Sequence, residues 1–138
     1  MRLVSFSIEN FRNITKANKI SLHDYSVIVG PNNQGKSNIL HALVLAMEAL
    51  VDWQRQVRRT ADGRLIRTVT TLPRRRFRRV RFDWNVDFPV SKQRRNLEGL
   101  TCDVILEFEF NTSEIAEFRE QIGSNLNGTL PIMVSFRA

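Results

Sequence analysis

A chain of 138 residues with 42% hydrophobic and 25% charged side chains has the composition of an ordinary globular protein, long enough to bury a core as one domain or part of one. Its longest apolar stretch, residues 39–51, is interrupted by His41 and Glu48 and is too short to span a bilayer, so no membrane role is expected. The single cysteine, Cys102, excludes an internal disulfide and agrees with a reducing, cytoplasmic location.

The net charge of +7 is unevenly placed. Between Trp53 and Asn96, fourteen Lys/Arg stand against three Asp, which makes that segment +11 and leaves −4 for the remainder.

From its first residues the chain alternates, with Val4, Phe6 and Ile8 on one face and Ser5, Ser7 and Glu9 on the other. That pattern predicts a half-buried strand over residues 2–10 and argues against a signal peptide. Residues 19–22 read as a short second strand returning antiparallel, and His23-Asp24 as a turn. Residues 25–29 then read as a buried central strand, which stops at a glycine.

That glycine opens Gly30-Pro31-Asn32-Asn33-Gln34-Gly35-Lys36-Ser37, and an apolar helix follows to about Gln54. Such G-x-x-x-x-G-K-S spacing between a strand and a helix suits a triphosphate. Gly30 and Gly35 permit the tight, partly left-handed backbone that turns several N–H groups inward. The helix beginning at Lys36 adds unpaired N–H groups and a partial positive charge. Lys36 supplies a mobile cation for the β- and γ-phosphates, and the Ser37 hydroxyl can complete the shell of a Mg²⁺ ion. The helix is apolar around most of its circumference, through Ile39, Leu40, Leu43, Val44, Met47, Leu50 and Val51, which predicts packing on more than one side.

Residues 61–64 carry a turn signal, and residues 65–72 have strand composition. An arginine-rich run follows, in which Arg74, Arg75, Arg76, Arg78, Arg79 and Arg81 interleave with Phe77, Val80 and Phe82. So dense a run of one sign favours a polyanion, and with no base-reading motif the expected contact is with a nucleic-acid backbone, tolerant of sequence and weakened by salt. A solvated basic loop is the plainer alternative.

Further on, Val104, Leu106, Phe108 and Phe110 alternate with Asp103, Ile105, Glu107 and Glu109 as a clear strand. The two glutamates fall on its polar face, where surface acids are far commoner than catalytic ones. Thr112-Ser113-Glu114 is expected to cap a helix to about Ile122, and residues 130–136 form a last strand. The abrupt end after it reads as the boundary of a longer protein. His23 and His41 have no catalytic partner in the sequence and read as turn and helix-surface residues.

Two stretches carry a resemblance. Ser7-Ile8-Glu9-Asn10-Phe11-Arg12, followed by residues 27–43 with their Gly-Pro-Asn-Asn-x-Gly-Lys-Ser-Asn core, resembles the N-terminus of ABC-type ATPases of the SMC/RecF/OLD branch, most of all the OLD-family ATPases of genome maintenance and phage defence. The resemblance implies an α/β P-loop NTPase fold, an ABC-type head lobe with a mixed sheet and antiparallel strands at both termini. The chain would then divide into residues 1–52 (strands, phosphate loop and first helix), 53–96 (a basic insertion) and 97–138 (strand–helix–strand). ATP and Mg²⁺ would be held by Gly30, Pro31, Asn32, Asn33, Gln34, Gly35, Lys36, Ser37 and Asn38, with Lys36 catalytic, Ser37 on the metal and Arg12 beside the nucleotide. DNA and a second nucleotide head would be the partners, and ATP turnover would gate head dimerisation on DNA.

The sequence departs from that family in lacking an apolar run ending in Asp-Glu and a Ser-Gly-Gly signature loop, so hydrolysis is expected to need elements outside these residues. Two other readings remain open: a different P-loop enzyme such as a kinase, and a non-catalytic nucleotide-bound interaction module.

Overall fold

The computed structural model describes residues 1–31, 35–59, 65–67, 81–93, 98–122 and 128–138. Four strands form its main sheet in the order β2-β1-β5-β6: β1 (Arg2–Phe11), β2 (Ile14–Ser21), β5 (Thr101–Glu109) and β6 (Thr129–Arg137). A long helix, α1 (Lys36–Gln56), leads into a two-stranded hairpin of β3 (Val57–Arg59) and β4 (Leu65–Arg67). Between this hairpin and β5 lies a short helix, α2 (Trp84–Asp87), and α3 (Thr112–Ile122) joins β5 to β6.

Period-two patterning accounts for the strands. In β1, Phe6 and Ile8 are buried; in β5, Cys102, Val104, Leu106 and Phe108 are buried while the residues between them are not. Their partners follow from register, with Phe6 opposite Leu106 and Ile8 opposite Val104. Glu107 and Glu109 alternate with these apolar residues and so face away from the core, as the pattern predicts. Helix α3 is capped by Asn111: its Oδ1 accepts from Glu114 N at 2.8 Å, and Glu114 Oε2 accepts from Asn111 N at 3.0 Å. This reciprocal arrangement is a capping box, set one residue earlier than Thr112.

Helix α1 lies on the core face of the sheet with Ala42, Leu45 and Ala46 buried and Ile39, Leu43 and Leu50 packed around them. The rest of its apolar circumference is open, with Leu40, Val44, Met47 and Val51 forming an exposed row. The second cover expected from the helix pattern is absent among the described residues.

Two further expectations are corrected. All three pairings of the main sheet are antiparallel, so the mixed sheet is not formed among the described residues. The reason lies in residues 25–29, which are not a strand. The last rung beside β2 is Leu22 N to Val4 O at 2.8 Å, after which Ser26 Oγ accepts from His23 N at 3.0 Å and the chain turns away. Tyr25, Val27 and Val29 are 94%, 83% and 86% exposed. A strand is buried by its neighbours, and this segment pairs with no strand among the described residues.

Conversely, residues 82–88, within the basic 53–96 segment, pack into the core. Phe88 is 1% exposed, Phe82 stacks on Phe136 at 4.8 Å between ring centroids, and Trp84 contacts both Phe82 and Phe88. Burying a phenylalanine of this kind contributes about 1.5–3 kcal/mol. The strand expected over residues 65–72 is present as β4, with residues 68–72 outside the described residues.

Candidate functional site

The site is built where the β1–β2 turn meets the first turn of α1. Phe11 pairs with Ile14, which leaves Arg12 and Asn13 as a two-residue turn. Arg12 holds a φ of +49°, a left-handed conformation unfavourable to a side chain with a Cβ. A two-residue loop between antiparallel strands calls for such a φ, and the surroundings hold the side chain in place.

Those surroundings are explicit. Arg12 Nε donates to Asp87 Oδ1 at 2.9 Å, and Arg12 N donates to Asp87 O at 2.6 Å. Arg12 Nη1 donates to Asn38 Oδ1 at 3.0 Å and lies 3.1 Å from His41 Nδ1. Asn38 Nδ2 in turn donates to Asn13 Oδ1 at 2.8 Å. Asn38, next to Ser37, is therefore gripped by both residues of the turn. Gly35 has a φ of +92°, and a Cβ placed there would come within 3.0 Å of Asn13 Oδ1. Glycine is required at that position by backbone conformation and by the close approach of Asn13.

The Lys36 ammonium bends back to donate to the carbonyl oxygens of Gly30 and Pro31, which joins the two described ends of the glycine-rich turn. The first rung of α1 is Ile39 N to Gly35 O at 3.0 Å, so the N–H groups of Lys36, Ser37 and Asn38 precede the helical ladder. No acidic residue lies in the first turn of α1. Ser37 is exposed, and it lines a cleft of about 420 Å³ with Lys36, Ser26, Ile28, Leu40 and Leu43. A cation, the amides that precede the helical ladder, a hydroxyl and the helix N-terminus thus stand together, a donor set suited to a polyphosphate and to a hard cation accompanying it.

Of the nucleotide residues expected from the sequence, Arg12, Gly30, Pro31, Gly35, Lys36, Ser37 and Asn38 gather around this turn, whereas Asn32, Asn33 and Gln34 lie outside the described residues. Arg74, Arg75, Arg76, Arg78 and Arg79 also lie outside them, and Arg81 is exposed beside the docked Phe82.

Asn13 and Asp87 belong to the cluster although sequence reasoning did not single them out. Asn13 follows the resembling Asn10-Phe11-Arg12 directly. Asp87 stands in Asp83-Trp84-Asn85-Val86-Asp87-Phe88, where an Asp ahead of two aromatic residues signals a capped, docked turn: Asp83 Oδ1 accepts from Asn85 N at 2.9 Å and Asp87 Oδ2 from Asp83 N at 2.9 Å. Gln93 Nε2 donates to the carbonyl oxygens of Trp84 and Phe88, and Lys92 Nζ donates to Asn10 Oδ1 at 2.6 Å.

Glu107 accepts from the Ser5 hydroxyl, which with Lys19 holds its carboxyl below the usual range, on the sheet face away from α1. Burial, reinforced by the nearby charges of Asp103 and Asp87, pushes the Cys102 thiol up to about 12, as befits an inert core residue.

Compared with known proteins, residues 1–121 match the profile of a family described as AAA ATPase domain. No curated protein and no solved structure matches the chain.

Proposed function

The chain belongs to the AAA ATPase domain family, and on that premise we propose that it is the ATP-binding N-terminal lobe of a DNA-associated, ABC-type ATPase head of the SMC/RecF/OLD branch. The observation that carries this reading is the convergence of Lys36, Ser37, Gly35 and the α1 N-terminus on one turn clamped by Arg12 and Asn13. Lys36 neutralises the terminal phosphates, the amides of residues 36–38 receive phosphate oxygens, and Ser37 ligates Mg²⁺. Mg²⁺, when bound, withdraws charge from the phosphates. Arg12 adds a second fixed cation beside Asn38.

Hydrolysis also requires a carboxylate or amide that orients water. Among the described residues, Asp87 is a carboxylate in contact with this cluster, and it is committed to Arg12 and to Asp83 N. Turnover by this chain alone is therefore slow, and the missing acid comes from elsewhere in the working head or from a partner head. The +11 segment between Trp53 and Asn96 supplies the DNA-facing surface, with binding that follows charge and not base sequence.

A titration with a fluorescent ATP analogue tests the first part. Lys36→Ala removes charge-assisted bonds worth about 1.5–3 kcal/mol and should weaken binding roughly 10- to 150-fold. Equal affinity of the variant and the wild type would dismiss the site. The second part is tested by DNA binding across a salt series, with and without ATP. The proposed head shows ATP-stimulated binding that falls steeply with salt. A kinase shows none, and an interaction module shows no response to ATP.

A further inference from the structure

We propose that Asp87 is a positioning residue for the nucleotide site: it fixes the Arg12 guanidinium over the first turn of α1, so that docking of the segment after the arginine-rich run and nucleotide binding reinforce each other. This inference rests on the nucleotide reading above and adds a residue and a linkage to it.

Three observations carry it. First, Arg12 is held at both ends by one residue, through its backbone N to Asp87 O and its Nε to Asp87 Oδ1. The carboxylate side chain is 8% exposed and the guanidinium side chain 31%, so the pair is shielded enough to act as a hinge pin. Second, the same guanidinium reaches Asn38, whose amide continues to Asn13 and hence to the wall of Gly35. A path of direct contacts therefore runs from Asp87 to the turn that carries Lys36 and Ser37. Third, Asp87 cannot move alone. Its other oxygen holds Asp83 N, its neighbour Phe88 is sealed in the core, and Gln93 Nε2 donates to the α2 carbonyls of Trp84 and Asn85 and to Phe88 O. Undocking residues 82–88 would free the Arg12 guanidinium from Asp87 and loosen the grip on Asn38.

Linkage makes the effect reciprocal. If the docked segment improves the site for nucleotide, nucleotide stabilises the docked segment by the same factor.

The test is a set of fluorescent-ATP titrations on wild type, Asp87→Asn, Arg12→Gln, the double variant and Lys36→Ala, each checked for unchanged melting. Asp87→Asn keeps the shape but loses the charge, and should raise the Kd at least several-fold. In the Arg12→Gln background the same substitution should have no further effect, a result that general destabilisation would not give. Additive losses in the double variant, or wild-type affinity in Asp87→Asn, would overturn the proposal while leaving the nucleotide site standing. Failure of Lys36→Ala to weaken binding would instead remove the underlying site. Should Asp87→Asn not fold, hydrogen exchange on the wild type decides: saturating nucleotide must slow exchange at Arg12 and residues 83–88 more than in β6. Equal protection in both places overturns the linkage.

Discussion

Residues 25–29 and residues 82–88 are close in length and opposite in fate. The first are Tyr-Ser-Val-Ile-Val, as apolar as any core strand, yet Tyr25, Val27 and Val29 stand in solvent. The second follow the most basic run in the chain, yet Phe88 is sealed and Asp87 is buried as an ion pair. Hydrophobicity makes burial favourable, but a surface to be buried against decides whether it happens. The docked segment meets Phe11, Phe136 and the β1–β2 turn. The exposed one leaves the sheet edge at Leu22 and crosses to the glycine-rich turn without acquiring a neighbouring strand among the described residues.

The contrast can be broken most directly at Phe88. Phe88→Ala leaves a cavity beneath α2 and should cost about 3–5 kcal/mol in chemical denaturation. A loss below 1 kcal/mol would mean that residues 82–88 lie on the surface after all.

Cys102 offers a probe of the same region that leaves the sequence intact. With the thiol pushed up from 9.0 to about 12, its thiolate fraction near pH 8 is about a thousandfold below that of the unfolded chain. Alkylation of the folded protein, in which Cys102 is also fully buried, should therefore be far slower than that of the unfolded chain, and Phe88→Ala should restore part of the rate. A thiol that reacts quickly in the native wild type would contradict the packing over β5.

The smallest effect is expected on the other side. Serine at both Val27 and Val29 should change stability by less than about 0.5 kcal/mol per site, because little apolar contact is lost. A cost above 1 kcal/mol per site would show that the segment is packed in solution.

Much of this architecture was legible in the residues themselves. Alternation placed Phe6, Ile8, Val104 and Leu106 inside, and α1 begins at Lys36 as the Gly-Lys-Ser spacing requires. Glu107 and Glu109 lie on the polar face for the same reason. Local pattern could not report pairing. Residues 25–29 carry every local mark of a strand, and only the neighbouring chain decides whether a ladder forms. Asp87 was hidden for the complementary reason, since its meaning depends on Arg12, 75 residues earlier. Asn13 was hidden because the second strand was expected only at residues 19–22, whereas β2 begins at Ile14 and makes Arg12-Asn13 a two-residue turn.

One consequence belongs to the β1–β2 hairpin. Because Arg12 and Asn13 are its only two loop residues, the pairing of Phe11 with Ile14 acts as a ruler that sets where a guanidinium and an amide land on α1. Lengthening that loop by one residue would keep the glycine-rich turn letter for letter and still displace the two groups that hold its far side. The hairpin's measure, more than the glycines, would then be what such a protein could least afford to vary.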